Sequence, residues 1–146
     1  MIWYHVVYYI LVMAITKEKG DIGVSMIMSD ILKRGYKVAI PVGEDWRFDL
    51  IVYRNEKLER VQCKAVTPSN GVLIVPCRSS NNYSILKYKS TDFEWIGVCD
   101  LSDYKCYYIP SNICGNGERS VLNLRLNKPK NGQKKGIVLA CDYLNL

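Results

Sequence analysis

A β-hairpin with three polar groups near one end constrains this chain more than any other feature of its sequence. Asp49 precedes the apolar run 50–53, a polar turn follows, and the next strand contains Gln62, Cys63 and Lys64. Because successive side chains of a strand point to opposite faces, Gln62 and Lys64 share one face and Cys63 takes the other. The hairpin therefore predicts that a carboxylate, an amide and an ammonium meet at one end of a sheet.

These three groups suit the cleavage of a phosphodiester bond. A divalent metal binds hard oxygen ligands, which Asp49 and Gln62 offer, and a cation such as Lys64 stabilises the charge that develops on the phosphate. The same residue types are common on the exposed face of an ordinary hairpin, and short motifs recur by chance. The pattern alone leaves a nuclease site and a solvated face as alternatives.

Composition limits the class of protein. The 146 residues fit a single domain with a core of its own, and 49% hydrophobic with 23% charged residues excludes a disordered chain. The net charge of +6 favours an anionic partner without identifying one. The six cysteines form no Cys-x-x-Cys pair and His5 is the only histidine, so we expect no zinc site, and reduced thiols in a cytoplasmic protein.

The first twelve residues form an apolar segment that differs from the rest of the chain. The segment is shorter than the ~20 residues that span a bilayer, and it lacks the basic start and small-residue cleavage site of a signal peptide. An added strand, an oligomer contact and an overlong start, with the natural beginning near Met13, are the open alternatives. We therefore expect an extension over residues 1–12, a single domain over 13–146 and no membrane association.

The order of predicted elements indicates an α/β domain. A helix is expected from Thr16, as its N-cap, to Gly35, with an apolar stripe formed by Ile22, Met26, Ile27 and Ile31. Strands are predicted at 36–41, 48–54, 57–66, 72–76, 95–100, 105–109 and 121–126, and a short helix near 140–144. This order predicts a mixed β-sheet core flanked by helices.

Several short motifs occur in the order found in a known family. They are Lys19-Gly20-Asp21, Gly35-Tyr36-x-Val38, Pro41-x-Gly43-Glu44-Asp45, Phe48-Asp49-Leu50-Ile51-Val52 and Arg60-Val61-Gln62-x-Lys64. Together they resemble the PD-(D/E)xK nuclease superfamily, and are most similar to the small homing endonucleases encoded in group I introns, where Gln replaces the usual second acid. The segments 104–110 and 140–143 also resemble that branch.

The resemblance implies a restriction-endonuclease-like fold and metal-dependent hydrolysis of DNA. Asp49, the amide oxygen of Gln62 and the backbone carbonyl of Cys63 would then bind Mg²⁺ or Mn²⁺. Lys64 would hold or deprotonate the attacking water and stabilise charge on the phosphate.

One position departs from the pattern of this family. The resembled enzymes carry a glutamate four residues beyond the glycine of Lys-Gly, and this chain has Val24 there. Asp21, one turn earlier, is the candidate to replace it as a catalytic acid, and Glu18 is a second. The alternative is that both acids only provide favourable charge near a helix N-terminus.

DNA binding is expected to involve two groups of basic residues. The candidates are Arg78, Lys87 and Lys89 in one segment and Lys128, Lys130, Lys134 and Lys135 in another. Any one of them, taken alone, also fits a solvated surface residue. The resemblance implies a nearly palindromic DNA duplex bound by a homo-oligomer, a dimer or a tetramer, in the cytoplasm or, for an intron-encoded protein, in the nucleoid or an organelle.

Two other functions remain open from the sequence. One is a DNA-binding protein of the same fold whose cleavage is impaired by Val24. The other is a nuclease that recognises DNA structure, similar to a Holliday junction resolvase. A preference for branched over linear DNA would indicate the second, and DNA binding without metal-dependent nicking would indicate the first.

Overall fold

The computed structural model describes residues 2–80 and 84–146, with the backbone alone for residues 2–5, 9–11 and 13. A long helix, α1, spans Ile2–Lys33. The strands are β1 Lys37–Ala39, β2 Leu50–Arg54, β3 Lys57–Val66, β4 Val72–Pro76, β5 Arg78–Ser80, β6 Ile85–Lys87, β7 Trp95–Asp100, β8 Cys106–Pro110, β9 Val121–Arg125 and β10 Val138–Leu139. Short 3₁₀ helices cover Ser111–Cys114 and Ala140–Tyr143.

The central sheet is mixed, as the sequence predicted. Its strand order is β1-β2-β3-β7-β8, and β3 pairs parallel with β7 while the neighbouring pairs are antiparallel. A second sheet has the order β10-β9-β4, and β5 and β6 form a separate two-stranded hairpin. The expected α/β class with a mixed sheet is confirmed.

The two faces of the central sheet pack against different partners. On one face, Val61 and Cys63 of β3 pack with Ile27 and Ile31 of α1 in one buried cluster. On the other face, residues of β7 and β8 pack with β4 and β9 in a second cluster. Side chains alternate along β3, so Gln62 points to the face opposite α1, as does every second residue of the strand.

The helix begins earlier than the sequence predicted. The segment proposed as an extension is helical from Ile2 and continuous with the rest of α1, so the alternative of an added strand is wrong. Thr16 is not an N-cap, because its hydroxyl donates to the carbonyl of Val12 at 2.9 Å, one turn back inside the helix. The predicted end is confirmed: α1 stops before Gly35, which adopts a φ of 86°.

The residues of α1 that pack against the sheet differ in part from the predicted apolar stripe. Ile27 and Ile31 are fully buried, but Ile22 is 43% exposed. Gly23 takes the inward position instead, because a Cβ there would lie 2.7 Å from the Cβ of Ala65 in β3. The stripe was misjudged because a glycine at a close helix–strand contact has no apolar side chain to reveal it.

This close contact gives a first testable prediction. Gly23→Ala is expected to lower the free energy of unfolding by about 1–3 kcal/mol, because the added methyl group overpacks the contact with Ala65. Gly20→Ala is the matched control, since its Cβ would meet nothing within 4 Å, and it should raise stability by about 0.5–1 kcal/mol through helix propensity. Urea denaturation of both variants measures the difference, and equal effects would contradict the packing described.

The remaining strands and helices agree in part with those predicted from the sequence. The hairpin β2–β3 and strands β4, β7, β8 and β9 were predicted, as was the short helix at 140–143. The hairpin β5–β6 and strand β10 were missed, since three-residue and two-residue strands carry too little periodicity to detect. All six cysteines are free. Within the described part of the chain, no helix has both the length and the apolar character needed to cross a membrane.

Candidate active site

The carboxylate of Asp49 lies where β2 begins to pair with β3. The backbone N–H of Asp49 donates to the carbonyl of Val61 at 2.9 Å, which fixes Asp49 beside β3. Its Oδ2 accepts two hydrogen bonds, from the backbone N–H of Cys63 and from Nε2 of Gln62, both at 2.7 Å. The strand pairing therefore holds three of the predicted residues together.

The end of the Gln62 side chain lies between two oxygens. Its Nε2 is 2.7 Å from the carboxylate of Asp49 and 3.4 Å from the carbonyl oxygen of Cys63. The two ends of an amide exchange places by a simple rotation. That rotation would put Oε1 between the two other oxygens, which repel it unless a cation is bound.

This set of donors fits a hard divalent cation. Carboxylate, amide and backbone carbonyl oxygens are ligands that Mg²⁺ accepts beside water and phosphate. Among the described residues, no group of three or more His, Cys, Asp or Glu side chains is placed to hold a metal. A cation at this site therefore depends on Asp49 together with the neutral oxygens of Gln62 and Cys63.

Burial sets the electrostatics of Asp49. Loss of solvent raises the pKa of its carboxyl group, against the lowering effects of the Cys63 N–H and the Lys64 ammonium. A carboxylate that water solvates poorly gains more from a bound cation than an exposed one does. The position of Asp49 therefore favours metal binding.

Lys64 extends from β3 toward the hairpin β5–β6. Its Nζ is 3.4 Å from the backbone carbonyl of Arg78 and 5.0 Å from the centroid of the Tyr88 ring. Burial lowers the pKa of its amine, although the carboxylate of Asp49 opposes this effect. An amine with a lowered pKa is better suited to exchange a proton with water than an exposed lysine is.

Lys64 and Asp49 do not neutralise each other. Among the described residues, the ion pairs are Arg34–Asp30, Arg54–Glu59 and Arg60–Glu94. The ammonium of Lys64 is held toward the carbonyl of Arg78 instead, which leaves the carboxylate of Asp49 without a direct counter-charge. The arrangement leaves both groups available to a ligand.

Among the described residues, Asp21 forms no hydrogen bond or ion pair with Asp49, Gln62 or Lys64. Asp21 is exposed on α1, which packs on the face of the sheet opposite Gln62, and its backbone carbonyl accepts the hydroxyl of Ser25 at 2.9 Å. Val24 is half-buried and packs against the apolar cluster between α1 and the sheet. The catalytic role of Asp21 stays a prediction.

Two of the predicted DNA-binding residues flank the site. Arg78 and Lys87 lie directly opposite each other in the hairpin β5–β6, and the backbone carbonyl of Arg78 accepts a hydrogen bond from the ammonium of Lys64. Lys87 donates to the carbonyl of Glu118 at 3.3 Å, and Lys89 is exposed just beyond the hairpin. Like charges directly opposite across strands repel each other, so an anion bound between them would relieve the repulsion. We call Arg78, Lys87 and Lys89 the basic hairpin.

The other predicted residues lie in the loop between β9 and β10. Lys128 and Lys134 line a cavity of about 350 Å³ together with Pro129 and Asp142, while Lys130 and Lys135 are exposed. We call these four lysines the basic loop. None of the seven predicted DNA-binding residues belongs to an ion pair among the described residues, so their charges remain available to a polyanion.

Sequence reasoning did not foresee the surroundings of Lys64. Tyr88 is 2% exposed, and its backbone N–H donates to the carbonyl of Cys77 at 3.0 Å. This contact closes the basic hairpin against the end of β4 and brings the ring to Lys64. The apolar pair Ile85-Leu86 inside a polar segment was the available signal for strand β6.

The fold is of the α/β class with a mixed sheet, and the oxygen ligands at its candidate site suit a divalent cation. The family model described as PD-(D/E)XK endonuclease matches residues 14–146. The chain therefore belongs to the PD-(D/E)XK endonuclease family, and the resemblance seen in its sequence motifs is confirmed.

A solved structure supports the same relationship at the level of the fold. The structure of the bacterial homing endonuclease I-Ssp6803I is similar to this chain with a TM-score of 0.68 and 24% sequence identity, over 88% of this chain and 87% of the other. At this identity the match shows a shared fold. No curated protein matches the chain.

Proposed function

We propose that the chain is a site-specific DNA endonuclease that hydrolyses phosphodiester bonds with Mg²⁺ or Mn²⁺. We further propose that it is a homing endonuclease encoded in a group I intron. The observation that carries the proposal is the convergence of Asp49, Gln62 and the Cys63 carbonyl beside Lys64, in a member of an endonuclease family.

The oxygens at the end of the hairpin would hold the metal ion. Asp49 provides the negative charge, and Gln62 and the carbonyl of Cys63 complete the set of protein ligands. Such an ion polarises the phosphate and lowers the pKa of water bound to it. Burial of the Asp49 carboxylate strengthens its attraction for a cation.

Lys64 would act on the phosphate and the attacking water. Its ammonium, which interacts electrostatically with the Asp49 carboxylate, would lie near the scissile phosphate and stabilise developing negative charge there. The lowered pKa of its amine also increases the fraction of neutral amine, which is the form that can accept a proton from water. The hydrogen bond to the carbonyl of Arg78 helps to orient the amine.

The duplex would be held by the basic hairpin and the basic loop. The facing cations of Arg78 and Lys87 suit a phosphate near the cleavage site, and the four lysines of the basic loop suit phosphates elsewhere along the backbone. A chain of 146 residues covers only a short stretch of duplex. We therefore propose that a homo-oligomer, a dimer or a tetramer, binds a nearly palindromic target.

Binding through the basic hairpin has a measurable salt dependence. The double variant Arg78→Ala/Lys87→Ala should weaken DNA binding at low salt, because each lost phosphate contact removes a share of counterion release. The slope of log K against log salt concentration should fall by about 2. The double variant Lys33→Ala/Lys37→Ala, at exposed lysines outside both basic groups, should leave the slope unchanged, and equal slopes for all three proteins would contradict the assignment.

A second function is favoured by one residue. Val24 stands where the resembled enzymes have a glutamate, and it is packed in an apolar cluster where it offers no ligand. This observation supports a DNA-binding protein of the same fold with impaired cleavage. The sequence also left open a Holliday junction resolvase, and no contact in the described residues favours it over the homing endonuclease.

These functions are separated by the DNA that the protein cuts with Mg²⁺. A site-specific endonuclease should cut one linear duplex at a defined position and show no preference for a four-way junction made of unrelated sequence. Preferential cutting of the junction would instead identify a resolvase. Tight binding of the duplex without cutting, in Mg²⁺ and in Mn²⁺, would identify the impaired DNA-binding protein.

A further inference from the structure

Tyr88 lies next to Lys64, although the hydrogen bonds of the Tyr88 side chain do not explain why a tyrosine is needed there. The residue is 2% exposed, and within the described part of the chain its hydroxyl is buried without a hydrogen-bond partner. A buried hydroxyl without a partner is destabilising, because it loses its hydrogen bonds to water. The contribution of Tyr88 must therefore come from its ring.

The ammonium of Lys64 lies over the ring of Tyr88. Nζ of Lys64 is 5.0 Å from the ring centroid, within the ~6 Å over which a cation is attracted by an aromatic face. Within the described residues, the hydrogen bond from this ammonium goes to the carbonyl of Arg78 and is long at 3.4 Å. A flexible four-carbon side chain needs a second support to stay in one place, and the ring is the surface that provides it.

The ring itself is held rigidly. The backbone N–H of Tyr88 donates to the carbonyl of Cys77 at 3.0 Å, and its own carbonyl accepts the N–H of Gly117 at 2.9 Å. Its ring meets the ring of Phe93 edge-on, with 5.1 Å between centroids and an interplanar angle of 81°. A platform fixed on both its backbone and its side chain can set the position of a mobile amine.

We propose that Tyr88 is a positioning residue that holds the Lys64 amine at the cleavage site through the face of its aromatic ring. The inference rests on the proposed function, in which Lys64 acts on the scissile phosphate. It differs from a packing role because the ring acts on the ammonium of Lys64 and the hydroxyl has no part in it. A phenylalanine in place of Tyr88 should therefore preserve the positioning of the Lys64 amine, and an aliphatic residue should not.

The experiment compares Tyr88→Phe and Tyr88→Leu with Tyr107→Leu as a matched control. Tyr107 is buried in the same cluster and also lies under a lysine, since Nζ of Lys105 is 5.9 Å from its ring centroid. We expect Tyr88→Leu to lower kcat for Mg²⁺-dependent cleavage about 10- to 100-fold with little change in KM, because misplacing a reacting group has effects of this size. Tyr88→Phe and Tyr107→Leu should both retain the kcat of the unaltered protein.

A second measurement does not depend on cleavage. Brief acetylation of the native protein with acetic anhydride, read by mass spectrometry, reports how firmly each lysine is held. Lys64 should be acetylated faster in Tyr88→Leu than in the unaltered protein and in Tyr88→Phe, with Lys105 unchanged. In Tyr107→Leu the pattern should reverse, so that Lys105 reacts faster and Lys64 does not.

The two measurements separate failure of the positioning role from failure of the proposed function. An unaltered protein that cuts no DNA but shows the predicted acetylation pattern would contradict the endonuclease and support the platform. Equal acetylation of Lys64 in all proteins would overturn the proposal. So would a Tyr88→Phe variant whose kcat falls as far as that of Tyr88→Leu, since the hydroxyl would then be the acting group.

Discussion

Lys64→Met is expected to lower the rate of Mg²⁺-dependent DNA cleavage by about 10²–10⁴-fold, the range for loss of a positioned acid–base group. Methionine keeps the unbranched apolar stem of the side chain, but it removes the ammonium that lies over the ring of Tyr88 and whose charge acts on Asp49. Asp49→Asn should reduce the rate by a comparable factor, because an amide is a poorer metal ligand than a carboxylate. Single-turnover cleavage of a labelled duplex measures both.

Binding and stability show whether these losses are chemical. Asparagine keeps an oxygen that can accept the N–H of Cys63, so Asp49→Asn should fold normally, and both variants should bind DNA as tightly as the unaltered protein in Ca²⁺. Lys105→Met is the matched control, since Lys105 also lies over an aromatic ring but outside the site. Loss of cleavage in Lys105→Met, or full activity in Lys64→Met, would contradict the assigned centre.

Val24→Glu is expected to raise Mg²⁺-dependent cleavage by about 10- to 100-fold, the size of effect found for groups that orient metal ligands. The substitution restores the acid that the resembled enzymes carry at this place on α1. It should also lower the free energy of unfolding by about 1 kcal/mol, because a carboxylate replaces an apolar side chain in a half-buried cluster. Cleavage rates at matched folded concentration measure the gain.

Val24→Gln separates the charge from the size of the new side chain. Glutamine has nearly the same shape as glutamate and no negative charge, so its cleavage rate should stay at the level of the unaltered protein. An equal gain with glutamine would contradict a role for the carboxylate. No gain with glutamate in a robustly active protein would mean that another acid, such as Asp21 or Glu18, already fulfils the role.

The predictable part of this fold is the part with strong local signals. Alternation of apolar and polar residues marks β2 and β3, and the turn between them fixes their register, so Asp49 and Gln62 could be expected to meet before any distance was known. The start of α1 could not be predicted, because Thr16 fits an N-cap equally well in the absence of the preceding helical turn. A threonine can cap a helix or lie inside one, and the conformation of the preceding residues determines which of the two occurs.

The parts of the candidate site that escaped prediction depend on long-range contacts. The contact between Tyr88 and Cys77 closes a short hairpin whose strands are too brief for periodicity to mark, and the ring over Lys64 follows from that closure. The orientation of the Gln62 amide and the burial of Asp49 likewise depend on packing between distant segments. Local sequence identifies which groups can react, and tertiary packing decides how they are held.

The most direct test uses the two DNA sequences that flank the proposed intron. These sequences are joined directly to each other, without the intron, in a supercoiled plasmid, and cleavage of the plasmid is measured. We expect the purified protein to cut this plasmid at one position with Mg²⁺, EDTA to abolish cutting, and Asp49→Asn to bind the same DNA without cutting it. A protein that binds this DNA but leaves it intact with Mg²⁺ and with Mn²⁺ would contradict the central claim. So would an Asp49→Asn variant that cuts at the rate of the unaltered protein.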